Sequence, residues 1–197
     1  MTNQKSLVKN TAIIALGKLS TQFLTFLLLP LYTHYLSVKE FGNVDLIITY
    51  ISLLTPIITL QVEMATFRFL IDHRQDKKQI TSVITNATQI AGGILTIFTA
   101  VYIPISIIFN IPYAAWIICA IAATIAANMF LQIARGLGDN VKYAIGGVIA
   151  GATTITSNIV LIAGVGWGVE GLLTSIILAN VACAIYLFFA LKLHTHI

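Results

Sequence analysis

The chain predicts an all-α integral membrane fold of six transmembrane helices with both termini cytoplasmic, and three observations carry that prediction. Hydrophobic residues fill 58% of its 197 positions and charged residues only 9%, against roughly 25% charged in a soluble domain. Mean hydropathy is +0.93. The apolar residues gather into six runs, each long enough for a bilayer crossing of about 20 residues. The cations also sort to one side. With the N-terminus inside, Lys5, Lys9, Arg68, Arg74, Lys77, Lys78, Arg135, Lys142 and Lys192 are cytoplasmic and only Lys39 is outside, so the positive-inside rule sets the orientation.

The six spans are expected at about 11–36, 42–71, 79–109, 113–135, 142–163 and 171–193, forming one bundle over residues 1–197. Short connections make neighbours antiparallel. Asn110 to Pro112 separates spans 3 and 4, and Gly164 to Gly171 separates spans 5 and 6, because Pro and Gly interrupt helical pairing. Pro30 and Pro56 are expected to kink spans 1 and 2, a loss that neighbouring helices or water can compensate. Tyr32, Tyr35, Tyr113, Trp116 and Trp167 fall near the outer ends, where an interfacial aromatic belt sits. Span 1 is too long for a signal-peptide core and lacks a small-x-small cleavage site, so it is read as retained.

A net charge of +4 does not imply nucleic-acid binding, because the cations are scattered among loops rather than clustered. Cys119 and Cys183 stand in apolar runs without metal-ligand spacing and are expected to be small core residues. No metal or cofactor is expected. The densest titratable cluster, Asp72, His73 and Asp76, lies in a short charged loop with no third catalytic group nearby, so no enzymatic site is expected.

Polar residues inside the spans recur at helical spacing. On a wheel of about 100° per residue, Thr11, Lys18, Gln22 and Thr25 share one stripe of span 1, while Ile13, Leu16, Leu24, Phe26 and Leu27 spread around the rest. A lysine at this depth needs water or a partner. Either it lines a hydrated cavity or its stem snorkels to the headgroups. Span 2 aligns Asp45, Thr49, Ser52, Thr59 and Glu63; span 3 aligns Ser82, Asn86, Gln89, Gly93 and Thr96; span 4 aligns Thr124, Asn128 and Arg135, with Gln132 at the edge. Any single hydroxyl or amide here can be explained by hydrogen bonding between helices, but four aligned stripes point to a shared aqueous cleft. Lys18 and Glu63 come at comparable depth, roughly five to eight residues or about 8–12 Å from the cytoplasmic ends, and are expected to pair. Arg68, Arg74, Lys77 and Lys78 read as topology anchors. Span 5 carries Gly147, Gly151, Thr154 and Asn158 on one face, a small-residue surface for close packing.

Three stretches carry a resemblance. They are Pro30-Leu-Tyr-Thr-His-Tyr-Leu-Ser-Val-Lys-Glu-Phe-Gly42, then Ala65-Thr-Phe-Arg-Phe69, then Arg135-Gly-Leu-Gly138 followed by Lys142-Tyr-Ala144. The chain resembles the polysaccharide transporter, or oligosaccharide flippase, family of the multidrug/oligosaccharidyl-lipid/polysaccharide exporter superfamily. It is similar to the N-terminal six-helix half, since family members have two such bundles. The resemblance implies alternating access and movement of undecaprenyl-pyrophosphate-linked oligosaccharide across the bacterial cytoplasmic membrane. It also implies a basic residue in the first helix, which Lys18 would supply. Either the sequence is a fragment of a longer chain, or a separately encoded second half or a second copy completes the cleft, with the lipid bilayer and polysaccharide assembly proteins as further expected partners. The expected cavity residues are Lys18, Gln22, Thr25, Asp45, Thr49, Ser52, Glu63, Asn86, Gln89, Asn128 and Arg135. Two other functions compete: an ion-coupled small-molecule exporter of the same superfamily, relying on Asp45 and Glu63, and a non-transporting accessory subunit.

Overall fold

A computed structural model describes residue 26 and residues 28–193. Most of span 1 therefore lies outside the described residues, and Lys18, Gln22, Thr25 and the Lys18–Glu63 pairing lie there with it. Its end is helical over 28–35. Among the described residues the structure is all-helical, and five helices are long and apolar enough to cross a membrane.

Helix α1 spans Val38–Thr59, four residues earlier than the hydropathy boundary at Gly42. The reason is a capping box. Ser37 Oγ accepts from the Glu40 N–H at 3.3 Å, and Glu40 Oε2 accepts from the Ser37 N–H at 2.9 Å, so two backbone donors at the helix start are satisfied reciprocally. Val44, Ile47, Ile51, Thr55 and Thr59 turn inward at three- and four-residue spacing.

Span 2 is not continuous. It ends as α1 at Thr59 and restarts as α2, Val62–Asp72, with Leu60 and Gln61 both left-handed at φ 48° and 55°. Pro56 stays inside α1, so the break falls after the proline. The junction is held locally: Thr59 Oγ1 accepts from the Gln61 N–H at 3.2 Å, and the Gln61 carbonyl accepts from Met64 and Ala65. Left-handed non-glycine residues cost roughly 1–2 kcal/mol each. The surrounding fold has to supply that energy.

Helix α3, Lys77–Ile108, starts at Asp76, whose carboxylate accepts from the Lys78 and Gln79 N–H groups. At 32 residues it is about 48 Å long and contributes few residues to the core. Helix α4, Ala114–Gly136, and helix α6, Gly168–Ala190, form the centre. α4 packs on α2 and α6, and α6 packs on α4 and α5. Trp116 Nε1–H donates to Thr174 Oγ1 at 3.1 Å across the α4–α6 contact, so this tryptophan joins two helices rather than serving only as an interfacial anchor. Gly171, Ser175, Ala179 and Cys183 are all buried along α6. That four-residue ladder of small side chains lets the neighbouring helices approach closely.

Helix α5, Asn140–Asn158, continues as a π-helical turn over Ile159–Gly164. Its close contact is made by Gly146, whose added Cβ would lie 3.3 Å from Cys183 Sγ and from Leu187 Cδ1. Gly151 and Asn158 are buried as the small-residue face requires, but a Cβ on Gly147 would meet nothing. The contact is displaced by one residue because α6 packs on the Gly146 side. Cys183 is buried and Cys119 is exposed; Cys119 lies one turn beyond exposed Ala115 on a face of α4 left open among the described residues.

Candidate functional site

Asp45, Thr49 and Ser52 are exposed along α1, and Ser52 Oγ donates to the Thr49 carbonyl at 2.8 Å. The stripe expected along the whole of span 2 stops there. Thr59 is 2% exposed and faces the core, and Glu63 stands half-buried in the first turn of α2 beyond the break. The left-handed pair interrupts the helical phase that an unbroken wheel assumes.

The α3 stripe is intact. Ser82, Asn86, Gln89, Gly93 and Thr96 are all exposed, with Asn86 Nδ2 donating to Ser82 Oγ at 3.4 Å. On α4, Thr124, Asn128, Gln132 and Arg135 are uniformly half-buried. Many hydroxyls do not bridge helices. Those of Thr55, Thr66, Thr88, Thr96, Thr99 and Thr154 each donate to the carbonyl four residues earlier in the same helix, a local bond that compensates the hydroxyl inside an apolar span.

Around Arg135 the structure brings together residues that hydropathy leaves unrelated. Its guanidinium lies 4.7 Å from the Phe67 ring centroid and 5.5 Å from that of Tyr143, and Nη1 donates to Gln132 Oε1 at 3.0 Å. Two aromatic faces stabilise a cation without neutralising it. Three helices therefore meet at one positive charge: α2 through Phe67, α4 through Arg135 and α5 through Tyr143.

Beside it α4 ends in a Schellman turn. Gly138 N–H donates to the Arg135 carbonyl, and Asp139 N–H donates to that of Ala134, with Gly138 left-handed at φ 85°, the geometry that glycine accommodates at a helix C-terminus. Arg74 completes the cap, donating from Nε to the Gly136 carbonyl at 2.6 Å and from Nη2 to the Arg135 carbonyl at 3.0 Å. Arg74 thus does more than mark topology. The adjoining Asp139 caps α5 and pairs with Lys142 Nζ at 2.7 Å. The clue in the sequence was the Arg-Gly-Leu-Gly-Asp string, a helix stop followed at once by a start; the identity of the capping arginine, 62 residues away, had no local signal.

A groove of about 440 Å³ lies between α2 and α3, with Asn86 among its walls. Of the loop residues considered for chemistry, His73 Nδ1 lies 2.9 Å from the Phe69 carbonyl and Asp76 is engaged as the α3 cap. Among the described residues no group of three His, Cys, Asp or Glu side chains is placed to hold a metal.

Helices of membrane-crossing length on an apolar chain define a multi-pass membrane protein. Residues 7–197 match the family described as polysaccharide biosynthesis protein, and the chain belongs to that family, the polysaccharide transporter family of the same exporter superfamily. Its members are transporters rather than enzymes. Neither a curated protein nor a solved structure matches the chain.

Proposed function

We propose that this protein is one bundle of a flippase that moves undecaprenyl-pyrophosphate-linked oligosaccharide across the bacterial cytoplasmic membrane, with its N- and C-termini on the cytoplasmic side. The observation that carries the proposal is the unbroken polar face of α3, Ser82 to Thr96, lying exposed on a helix long and apolar enough to span the membrane. The amides of Asn86 and Gln89 are costly against acyl chains at bilayer depth. They suit a wet cleft and sugar hydroxyls.

In this proposal Asp45, Thr49, Ser52, Asn86, Gln89 and Asn128, with Gln22 and Thr25, hydrogen-bond the sugar. Lys18 and Arg135 attract the pyrophosphate, and Glu63 pairs with Lys18 when the anion is absent. Arg135 suits that role because its stacking between two rings fixes the cation while leaving its charge uncancelled. The exposed faces of α1 and α3 support a second bundle, from a second copy or a separate chain, across the cleft; polysaccharide assembly proteins would act on either side of the transfer. Reconstitution with a fluorescent lipid-pyrophosphate sugar tests the proposal. Leaflet exchange that depends on the complete assembly is expected, and its absence would overturn the flippase function.

A further inference from the structure

We propose that Gln132 is a positioning residue for Arg135, holding its guanidinium through a neutral amide so that the full positive charge stays open to an anion. This role rests on the anion-attracting function given to Arg135 above and adds the side chain that keeps that charge unpaired. Arg135 is half-buried, between the buried residues Ala134 and Gly136 at the end of α4. A charge so placed is ordinarily paired. Here no carboxylate of the described residues pairs with it, and Asp139, the nearest acid along the chain, is engaged by Lys142 Nζ at 2.7 Å.

What holds the guanidinium is uncharged on each side. The Phe67 and Tyr143 ring centroids lie 4.7 and 5.5 Å from it, and Gln132 Oε1 accepts from Nη1 at 3.0 Å. Attraction to a ring face leaves the cation free to turn over that face, whereas a hydrogen bond has a preferred angle. The amide therefore sets the direction of the fork. Nε and Nη2 form no hydrogen bond among the described residues. Positions three apart are neighbours on one helix face, so glutamate at 132 would reach the guanidinium as well as glutamine does. Its carboxylate would make the stronger, charge-assisted bond and leave a pair with no net charge. Glutamine offers the same acceptor oxygen without that cancellation. A purely structural clamp joining α2, α4 and α5 would be served as well or better by glutamate, and the two roles part at that substitution.

The test follows thermal unfolding of the full chain in neutral detergent, with and without inorganic pyrophosphate at constant ionic strength. An anion bound only by the folded state raises the midpoint. Wild type is expected to show the rise and Arg135→Gln to lose it. Gln132→Glu should match or exceed the wild-type midpoint without the anion, yet bind pyrophosphate about tenfold more weakly. Should that variant fail to fold, Gln132→Met, which keeps the charge but frees the fork, is expected to weaken binding about threefold. A full pyrophosphate response in either variant would overturn the positioning role. So would a wild type that shows no response, or one that survives Arg135→Gln. In leaflet exchange by the complete assembly, Gln132→Glu should raise the half-saturating substrate concentration about tenfold with the maximal rate kept. Exchange at unchanged half-saturation defeats the role of Gln132 alone, whereas a pyrophosphate response lost in Gln132→Glu, with no exchange by wild type, defeats the flippase function alone.

Discussion

Arg74 Nε donates to the Gly136 carbonyl at 2.6 Å, tying the end of α2 to the end of α4. Cations at helix C-termini are favourable because the last carbonyls lack intrahelical partners and the dipole is negative there. Here one guanidinium serves two such carbonyls, the second being that of Arg135. The same arginine thus supports the backbone beneath the stacked Arg135 side chain.

Arg74→Ala should lower stability by about 1–3 kcal/mol, the cost of charge-assisted hydrogen bonds lost at a helix end. Arg74→Lys should recover only part, because an ammonium cannot reproduce the planar two-donor fork. Thermal unfolding in detergent, compared across wild type and both variants, measures this; three identical midpoints would refute the capping role.

Gly136 of α4 packs directly against α2. A Cβ there would fall 2.7 Å from Leu70 Cβ, so Gly136→Ala should destabilise by about 1–3 kcal/mol through overpacking. Leu70→Ala opens a cavity by itself. Combined, the two changes should be less harmful than their sum, and simple additivity in a double-mutant cycle would argue against the contact.

On α5 the two neighbouring glycines should behave differently. Gly146→Val collides with Cys183 and Leu187 and should cost about 1–3 kcal/mol. Gly147→Ala meets open space and should be neutral or stabilising by up to about 1 kcal/mol through helix propensity. Unfolding midpoints of the two variants provide the comparison, and equal losses would restore Gly147 as the packing residue.

At the break between α1 and α2, Gln61→Gly should relieve left-handed strain and stabilise the chain by up to about 1 kcal/mol, less whatever glycine adds to the freedom of the unfolded chain. Gln61→Val should destabilise it, since a β-branched side chain tolerates positive φ poorly. If valine were accepted as readily as glycine, the break would not persist in the membrane.

For the proposed transport, Lys18→Ala and Glu63→Ala should each impair leaflet exchange, and the double variant should be no worse than the more damaging single one. Removing one member of a low-dielectric pair leaves the other charge uncompensated, whereas removing both does not. Fully independent effects on the exchange rate would exclude the pairing.

The amino-acid order alone determined the all-helical membrane class and the family. Each helix in a bilayer must satisfy its own backbone, so hydropathy, which is local, is sufficient for that class. The polar face of α3 was legible for the same reason, because Ser82 to Thr96 lie on one uninterrupted helix. The capping box at Ser37 and Glu40 was equally local, though hydropathy gives it no weight. Tertiary structure decided the rest. Leu60 and Gln61 have no intrinsic preference for the left-handed region, so no local signal marked the break that turns Glu63 out of phase with Asp45. Nor did spacing indicate that Phe67 and Tyr143 would enclose Arg135, or that Arg74 would reach the last turn of α4. Those contacts join residues more than 60 positions apart or on separate helices: close packing at Gly136 brings α2 within reach of α4, and the turn at Gly138 brings Tyr143 of α5 back to Arg135.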